Sequence, residues 1–259
     1  MMDPWNPEQY AKFLDEREQP FVDLLALVQP APHMHIVDLG CGTGRLTKRL
    51  HDHLNAAETI GVDRSPRMLA AAADLAAHGL RFEQADIGAF PERGARYDLI
   101  FSNAALHWVD NHSELFARLA DGLAADGQLA VQMPAMHDDR SHTLAAELSR
   151  IEPFRSALAG WRRSQPVLTP EGYARLLFRL GFREPRVQLI VYPHVLSGPD
   201  EVVEWMKGTL LAEYSRHLAS DLFTTFLDEY RRRLLAGVED ERPFFFPFRR
   251  ILLWARKRS

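Results

Sequence analysis

Short apolar runs alternate with amphipathic stretches along the first three-fifths of the chain. Apolar runs of strand length are typical of strands with both faces covered, whereas apolar residues at helical spacing predict helices. Strands are predicted at 35–39, 58–62, 80–83, 97–102 and 128–133, with helices between them, as at 45–53 and 113–123, and a turn at 126–127. This alternation predicts a doubly wound parallel sheet, which binds its ligands at the carboxyl ends of the strands.

Beyond residue 134 the pattern becomes mainly helical. The stretches 135–164 and 198–238 predict helices, and between them lie a predicted helix at 170–180 and a strand at 186–192. A last strand is predicted at 248–255. We therefore expect an α/β fold with a Rossmann-like, mostly parallel, seven-stranded sheet in one domain, 1–259. The helical stretches, about 135–165 and 198–240, would form a cap over the strand ends.

The turn after the first predicted strand is the most informative segment. Asp38 precedes three glycines at alternate positions, Gly40, Gly42 and Gly44, with Cys41 as a small packing residue between the first two. Glycine allows left-handed backbone and close approach of a ligand. However, the pyrophosphate motif is Gly-x-Gly-x-x-Gly, and a leading acid would repel a phosphate but attract an amine. A nucleoside with an ammonium group, such as S-adenosylmethionine, therefore fits better than a dinucleotide.

Two further acids follow the second and third predicted strands. Asp63 occupies the position from which a carboxylate binds both ribose hydroxyls in nucleoside-binding sheets, although it could instead cap the helix that starts near Ser65. Asp86 could accept a hydrogen bond from the adenine amine while Ile87 packs against the ring; the alternative is a turn aspartate. Together these acids favour an adenosine site.

The tip of the fourth predicted strand combines polar and aromatic residues. Asn103 and the backbone at Ala104 are predicted to receive the methionine part of the cofactor. His107 and Trp108 are predicted to face the substrate, unless Trp108 belongs to the core. Met68, one turn into the helix after the second strand, is predicted to contact the adenine or to be core.

Composition and charge limit the classes of partner. The chain is 46% hydrophobic and 25% charged, as in ordinary globular proteins, and its net charge of −4 gives no reason to expect nucleic acid. A single cysteine excludes an internal disulfide and a multi-cysteine zinc site, and no metal is expected. Neither a signal peptide nor an apolar run of about 18 residues is present, so we predict a cytoplasmic protein without a membrane segment, most simply a monomer.

These motifs together resemble a class I S-adenosylmethionine-dependent methyltransferase and, more narrowly, the trans-aconitate methyltransferase family. The resemblance extends over almost the whole chain and rests on these segments: Trp5-Asn-Pro7 with Tyr10, Gly40-Cys-Gly-Thr-Gly44, Gly61-Val-Asp-Arg-Ser-Pro66 with Met68-Leu-Ala70, Ala85-Asp-Ile87, Asn103-Ala-Ala-Leu-His-Trp108, Val131-Gln-Met-Pro134, Trp205 and Phe246-Pro-Phe-Arg-Arg250.

The resemblance implies S-adenosylmethionine as cofactor. It implies that the glycine turn shapes the cofactor loop, with Asp38 near the methionine amino group, that Asp63 (followed by Arg64) binds the ribose, and that Asp86 and Ile87 bind the adenine. It also implies that Trp5 and Tyr10 lie in an N-terminal segment that closes the site.

The resemblance further implies a small carboxylic acid, first of all trans-aconitate, as the methyl acceptor. Arginine forks bind such anions, and the candidates in and near the predicted cap are Arg140, Arg155, Arg162, Arg163, Arg216 and Arg249, with Tyr173 and Tyr214 as further hydrogen-bond donors. One departure concerns the acceptor. Family members follow the cap tryptophan with Gly-Leu-Arg-Pro, whereas Trp205 is followed by Lys207-Gly-Thr-Leu-Leu-Ala-Glu-Tyr214, without that arginine and proline.

Other functions remain open at this point. A carboxylate is ionised at neutral pH, since its reference pKa is about 4, and needs no general base. A neutral hydroxyl or phenol would need one, and His107 could serve. A malonyl thioester on a carrier protein is another possible acceptor, and a non-catalytic S-adenosylmethionine-binding module is a third alternative. An NAD-dependent dehydrogenase is opposed by the glycine spacing and by Asp38.

Overall fold

The computed structural model describes residues 14–90, 94 and 96–258 of the 259-residue chain. The chain forms two compact units. The first holds the described residues up to Pro134, together with Pro166–Ile190 and the residues from Arg250 onward. The second holds Ala135–Gln165 and Val191–Arg249. The second unit includes the stretches predicted as a cap, whose role as a cap stays a prediction.

A seven-stranded sheet organises the chain, with strand order β3-β2-β1-β4-β5-β7-β6. Its strands are β1 (His35–Leu39), β2 (Glu58–Asp63), β3 (Leu80–Gln84), β4 (Tyr97–Asn103), β5 (Leu123–Pro134), β6 (Arg183–Leu196) and β7 (Phe244–Arg256). The first five pair in parallel, and β7 is antiparallel to β5. The prediction of a Rossmann-like, mostly parallel, seven-stranded sheet is therefore confirmed.

Ten α-helices accompany the strands in the described residues. They are α1 (Leu14–Leu25), α2 (Arg45–Leu54), α3 (Pro66–Ala72), α4 (His112–Gly122), α5 (Arg140–Leu148), α6 (Phe154–Ala157), α7 (Pro170–Arg179), α8 (Asp200–Lys207), α9 (Leu210–His217) and α10 (Ser220–Leu235), with short 3-10 helices at Ala73–Leu75 and Leu106–Trp108. Local side-chain chemistry determines where several of the helices begin. Ser65 caps α3 by accepting a hydrogen bond from the Met68 amide at 3.2 Å, and Pro66 supplies the first helical residue.

The apolar runs of the central strands form the core of the first unit. Leu99, Ile100 and Phe101 of β4 are fully buried, as are Leu129, Ala130 and Val131 of β5. Successive strand residues point to opposite faces, so burial of consecutive residues means that both faces of the sheet are covered. Coverage of both faces explains why these runs are hydrophobic without interruption. In the described part of the chain, no helix is both long and apolar enough to cross a membrane.

Several predicted boundaries are wrong. The turn predicted at Asp126-Gly127 is an irregularity inside β5, because Tyr97 pairs with Leu123 whereas Leu99 pairs with Gln128. Strands β6 and β7 are longer than the predicted 186–192 and 248–255. The stretch 135–164 is only partly helical, in α5 and α6. Hydrophobic patterning misses these ends because they contain prolines, Pro185 and Pro193 in β6 and Pro247 in β7, which argue against a strand in the sequence.

Candidate functional site

A cavity of about 280 Å³ opens in the first unit, at the carboxyl ends of the parallel strands. It lies where the strand order reverses, between β1 and β4, which is the usual ligand position in doubly wound sheets. Most of the residues predicted to bind the cofactor line it: Gly40, Gly42, Asp63, Arg64, Met68, Asp86, Ile87, Asn103 and Ala104, together with Trp108. The structure thus brings together segments far apart in the sequence.

The glycine turn is held against β2 and adopts a backbone that favours glycine. The amides of Gly40 and Cys41 both donate to the Val62 carbonyl, at 2.8 and 3.0 Å. Gly40, Gly42 and Gly44 have φ angles of 79°, 56° and 75°. A β carbon on Gly40 would collide with the Ala105 side chain, and one on Gly44 would lie 2.7 Å from the Phe82 ring. Two of the three glycines are therefore required by contacts as well as by backbone conformation.

Asp38 lies next to this turn but is not among the residues that line the cavity. It is buried, and its Oδ2 accepts a hydrogen bond from the Thr47 hydroxyl at 2.5 Å. Burial, reinforced by the charge of Asp63, raises the pKa of its carboxyl to about 7, although the Thr47 hydrogen bond acts in the opposite direction. Thr47 is a partner that the sequence reasoning missed.

Asp63 is not the cap of α3, contrary to the alternative considered from sequence, because Ser65 has that role. Its Oδ1 accepts the amide of Ser65, two residues further on, at 2.8 Å, and its Oδ2 accepts the Gly42 amide at 3.0 Å. The same carboxylate lines the cavity. Each carboxylate oxygen can accept a second hydrogen bond, so these amides fix the orientation of Asp63 while leaving capacity for a ligand.

The third strand ends in a similar arrangement. Oδ1 of Asp86 accepts the Gly88 amide at 2.9 Å, which is the turn contact considered as an alternative from sequence. Asp86 and Ile87 both line the cavity as well. Met68 is 4% exposed and lines it as well, so it is core and cavity wall at once. Sequence reasoning missed four lining residues, Gly88, Ala105, Val109 and Asp110.

The tip of β4 presents a polar atom that has no hydrogen-bond partner in the part of the chain that the structure describes. Oδ1 of Asn103 is buried and has no hydrogen-bond partner among the described residues. Ala104 has a φ angle of 57°, and its amide donates to the Gln132 carbonyl on β5 at 2.9 Å. Both side-chain polar atoms of Gln132 are likewise buried and unpartnered within the described residues. Buried amides are rarely left so in native proteins, and Asn103, unlike Gln132, lines the cavity, so its Oδ1 is placed where a ligand could donate to it.

The remaining predicted residues are more scattered. His107 packs against Trp108 with ring centroids 4.7 Å apart but, like Cys41 and Gly44, does not line the cavity.

In the second unit Tyr214 is buried and lines a separate cavity with Arg162 and Arg163, whereas Arg140 pairs with Glu147 and lines another. Arg155 and Arg249 pair with Glu152 and Asp138, and the Tyr173 hydroxyl contacts His112. Trp5 and Tyr10 lie outside the described residues.

A family model and several relatives match the sequence of this chain. Residues 36–127 match the family model described as "Methyltransferase domain", a span that contains every residue lining the cavity of the first unit. A trans-aconitate 2-methyltransferase of Deinococcus radiodurans is 42% identical, over 98% of each chain. One from Streptomyces avermitilis is 39% identical over 98% of this chain and 97% of the relative.

The chain belongs to the trans-aconitate 2-methyltransferase family. The resemblance seen in the sequence, to a class I S-adenosylmethionine-dependent methyltransferase of this narrower family, is confirmed. Because the alignment with both relatives is nearly complete, family membership includes the second unit as well as the methyltransferase core. The enzyme class predicted from sequence is thereby confirmed too.

Solved structures agree with the family fold. The YcgJ protein of Bacillus subtilis has a TM-score of 0.63 at 16% identity and covers 93% of this chain, with 99% of its own length matched. A phosphoethanolamine N-methyltransferase of Haemonchus contortus in complex with S-adenosyl-L-methionine has a TM-score of 0.55 at 15% identity, covering 93% of this chain and 53% of its own. At such identities these matches concern the fold alone.

Proposed function

We propose that this member of the trans-aconitate 2-methyltransferase family transfers the methyl group of S-adenosylmethionine to a carboxylate of trans-aconitate, forming a methyl ester. The observation that carries the proposal is the 42% identity over 98% of both chains to a relative of that name. The lining of the cavity in the first unit supports the donor.

The cavity of the first unit fits S-adenosylmethionine in charge. Three carboxylates line it, from Asp63, Asp86 and Asp110, against one guanidinium, from Arg64. Such a wall attracts a ligand with a sulfonium and an ammonium group and repels the pyrophosphate of a dinucleotide. The unpartnered Oδ1 of Asn103 is a suitable acceptor for the ammonium group.

The cavity also fits in shape. The Gly40 and Gly42 backbone forms one wall where side chains are absent, and no described atom lies within 4 Å of a β carbon placed on Gly42. In this proposal Asp63 binds the ribose hydroxyls, Asp86 accepts from the adenine amine, and Met68 and Ile87 enclose the ring. Asp38, when ionised, adds negative charge beside the turn.

When bound, S-adenosylmethionine supplies an electrophilic methyl group for in-line displacement by a carboxylate oxygen. The protein then has to align and desolvate the two reactants, since no proton must be removed from a carboxylate at neutral pH. This agrees with the position of His107, which is outside the cavity lining. A hydroxyl acceptor, a malonyl thioester and a purely binding role are less favoured by the relatives' common name.

The acceptor is tested with purified protein, radiolabelled S-adenosylmethionine and trans-aconitate. We expect a base-labile methyl ester, visible in mass spectrometry as one added methylene unit, with little product from cis-aconitate or citrate. His107→Ala should lower this turnover only mildly, whereas it would abolish turnover of a hydroxyl acceptor. If calorimetry shows bound cofactor but no ester forms, the proposed acceptor is wrong while the family assignment stands.

Cytoplasmic location and a monomeric state stay predictions.

A further inference from the structure

The segment 104–110, which follows the end of β4, forms one side of the cavity of the first unit. Most of its residues line that cavity: Ala104, Ala105, Trp108, Val109 and Asp110. Its middle is a single 3-10 turn, Leu106–Trp108, and hydrogen bonds in such turns have poorer geometry than those of an α-helix. Contacts from neighbouring elements therefore help to determine where these lining residues lie.

A buried imidazole holds the centre of this segment. Nε2 of His112, the first residue of α4, donates to the Leu106 carbonyl at 3.0 Å, and the Val109 amide donates to the same oxygen at 2.9 Å. His112 is buried. Because a carbonyl oxygen can only accept, this contact requires the proton of a neutral imidazole to be on Nε2. The imidazole thus joins the 3-10 turn to the start of α4.

The other ring nitrogen of His112 faces the hydroxyl of Tyr173 on α7. Nδ1 and the hydroxyl oxygen are 2.5 Å apart. With the imidazole proton on Nε2, Nδ1 is an acceptor, so the Tyr173 hydroxyl donates to it. The hydroxyl oxygen also accepts the Leu168 amide at 3.2 Å, whereas the Met133 sulfur, at 3.8 Å, is a weaker acceptor for the single hydroxyl proton. Tyr173 therefore fixes the ring orientation of His112.

The imidazole of His112 is neutral in this environment. Burial lowers its pKa below the ordinary value of 6.5, although the backbone of Leu106 and Val109 and the charge of Asp110 act in the opposite direction. A neutral imidazole has one donor and one acceptor, and both are used here. The hydrogen bonds from Tyr173 through His112 to the Leu106 carbonyl are therefore satisfied without a buried charge.

Aromatic packing surrounds these hydrogen bonds. The ring centroids of His112, Tyr173 and Phe116 lie 5.4 to 5.8 Å from one another, and Tyr173 and Phe116 are fully buried. Apolar groups of the same shape could fill such a space with little loss of stability, so stability alone does not account for the polar groups. A fully satisfied buried network does more, because it favours one arrangement of the elements that it joins.

We propose that His112 and Tyr173 are positioning residues for the cofactor, holding the segment 104–110 in the arrangement that binds S-adenosylmethionine. This inference rests on the proposed function, which assigns the donor to the cavity of the first unit. Neither residue lines that cavity. They act through the Leu106 carbonyl, which lies in the chain between the lining residues Ala105 and Trp108.

The first test is Tyr173→Phe in the full chain, which keeps the ring and removes the hydroxyl. Nδ1 of His112 and the Leu168 amide then lose their partner. We expect the Kd for S-adenosylmethionine, measured by calorimetry, to rise about threefold to tenfold, as for the loss of one neutral hydrogen bond. The melting temperature should fall by about 2–4 °C.

Two control variants separate positioning from a general loss of stability. Tyr230→Phe makes the same chemical change at a fully buried tyrosine of the second unit, whose hydroxyl donates to the Ser141 carbonyl at 2.7 Å. Thr59→Val removes a hydroxyl that is 2.9 Å from Nδ1 of His51 in the first unit, near the start of β2 and away from the carboxyl ends of the strands. Both variants should bind S-adenosylmethionine within twofold of the unsubstituted protein, whatever their melting temperatures.

Substitution of the imidazole tests the second step. His112→Phe keeps an aromatic ring but leaves the Leu106 carbonyl without its side-chain donor, so the Kd for S-adenosylmethionine should rise at least about tenfold. His112→Gln retains an amide donor that can reach this carbonyl and should restore part of the affinity. If His112→Phe does not fold, Tyr173→Phe and His112→Gln still decide the question.

Nitrogen NMR of the histidine rings gives a readout that stability does not affect. His112→Phe identifies the His112 signals among those of the 11 histidines. In the unsubstituted protein we expect a protonated Nε2 and an unprotonated Nδ1 at pH 7, and both signals should shift when S-adenosylmethionine saturates the protein. In Tyr173→Phe the Nδ1 signal should move towards that of an imidazole without a donor.

The outcomes distinguish this inference from the proposed function. An unchanged Kd in Tyr173→Phe, or a Tyr230→Phe variant that loses as much affinity, would overturn the inference and leave the proposed function intact. Weakened cofactor binding in Tyr173→Phe alone, with no ester formed from trans-aconitate by the unsubstituted protein, would support the inference and reject the proposed acceptor. Failure of the unsubstituted protein to bind S-adenosylmethionine would overturn both.

Discussion

Replacing Gly40 by alanine tests how closely the cofactor turn is packed against β4. A β carbon at this position would collide with Cβ of Ala105 and would lie 3.3 Å from Cδ1 of Ile87. The collision cannot be relieved by a rotamer change, because Cβ of Ala105 is fixed to its backbone. The residues that must move are Ala105 and its neighbours, which line the cofactor cavity.

The magnitude combines two costs. Alanine at a left-handed φ of 79° costs about 1–2 kcal/mol, and overpacking against a fixed neighbour costs about 1–3 kcal/mol more. The smaller entropy of the unfolded alanine chain offsets about 0.4–1 kcal/mol. We therefore expect Gly40→Ala to lower the free energy of unfolding by about 2–4 kcal/mol and to weaken S-adenosylmethionine binding at least about tenfold, the latter corresponding to about 1.4 kcal/mol.

Gly181→Ala is the matched control. Gly181 is in the same unit, has a φ angle of 78°, and no described atom lies within 4 Å of an added β carbon. Its variant carries the backbone cost alone, about 1 kcal/mol, and should bind the cofactor normally. Urea denaturation gives both unfolding free energies, and calorimetry gives Kd. If Gly40→Ala loses no more stability than Gly181→Ala, the contact with Ala105 is not limiting and the reasoning is refuted.

Three further substitutions examine polar residues of the same cavity and of the turn beside it. Asp63→Asn should raise the cofactor Kd at least about tenfold in calorimetry, because it removes the charge and one of the two carboxylate acceptors of the Gly42 and Ser65 amides; an unchanged Kd would contradict the ribose role. Asn103→Leu should weaken cofactor binding about tenfold without lowering the melting temperature, since the amide oxygen it removes has no partner within the described residues. Asp38 should make stability depend on pH. Its carboxyl pKa is raised from 3.8 to about 7, so its contribution is full below pH 3.8 and lost as pH rises to about 7. Between pH 5 and pH 8 the unsubstituted protein should therefore lose more unfolding free energy than Asp38→Asn, and equal losses would refute this pKa.

The parallel half of the fold could be predicted because its physical signals are local. Apolar runs such as 97–102 and the helix start at Ser65-Pro66 each determine one element without help from distant residues. The irregularity around Asp126 could not be predicted, because an Asp-Gly pair favours a turn and only pairing with β4 holds it in the strand. The long ends of β6 and β7 likewise depend on neighbours that the sequence does not place side by side.

The candidate site, too, has features that can be predicted from the sequence and features that cannot. Glycines and acids at strand ends are predictable, since their positions in the chain fix their positions at the edge of a parallel sheet. The partners of these residues are not predictable: Thr47 against Asp38, and Gln132 beside Asn103, become neighbours only through the fold. The arginine candidates are the hardest to distinguish from one another by sequence. Arg140 and Arg162 have the same chemistry in the sequence, but the first pairs with Glu147 and the second lines a cavity.

Local charge, not net charge, distinguishes the two cavities. The overall value of −4 gives no hint of this difference, because it averages over residues that never act together. The cavity of the first unit has three carboxylates against one guanidinium, and that of the second has three guanidinium groups and, among its described lining residues, no carboxylate. A cationic methyl donor and an anionic acceptor each need a wall of the opposite sign, and one wall cannot satisfy both. The acidic wall of the first unit therefore suits the donor, and raising the salt concentration should weaken donor binding because salt screens these carboxylates.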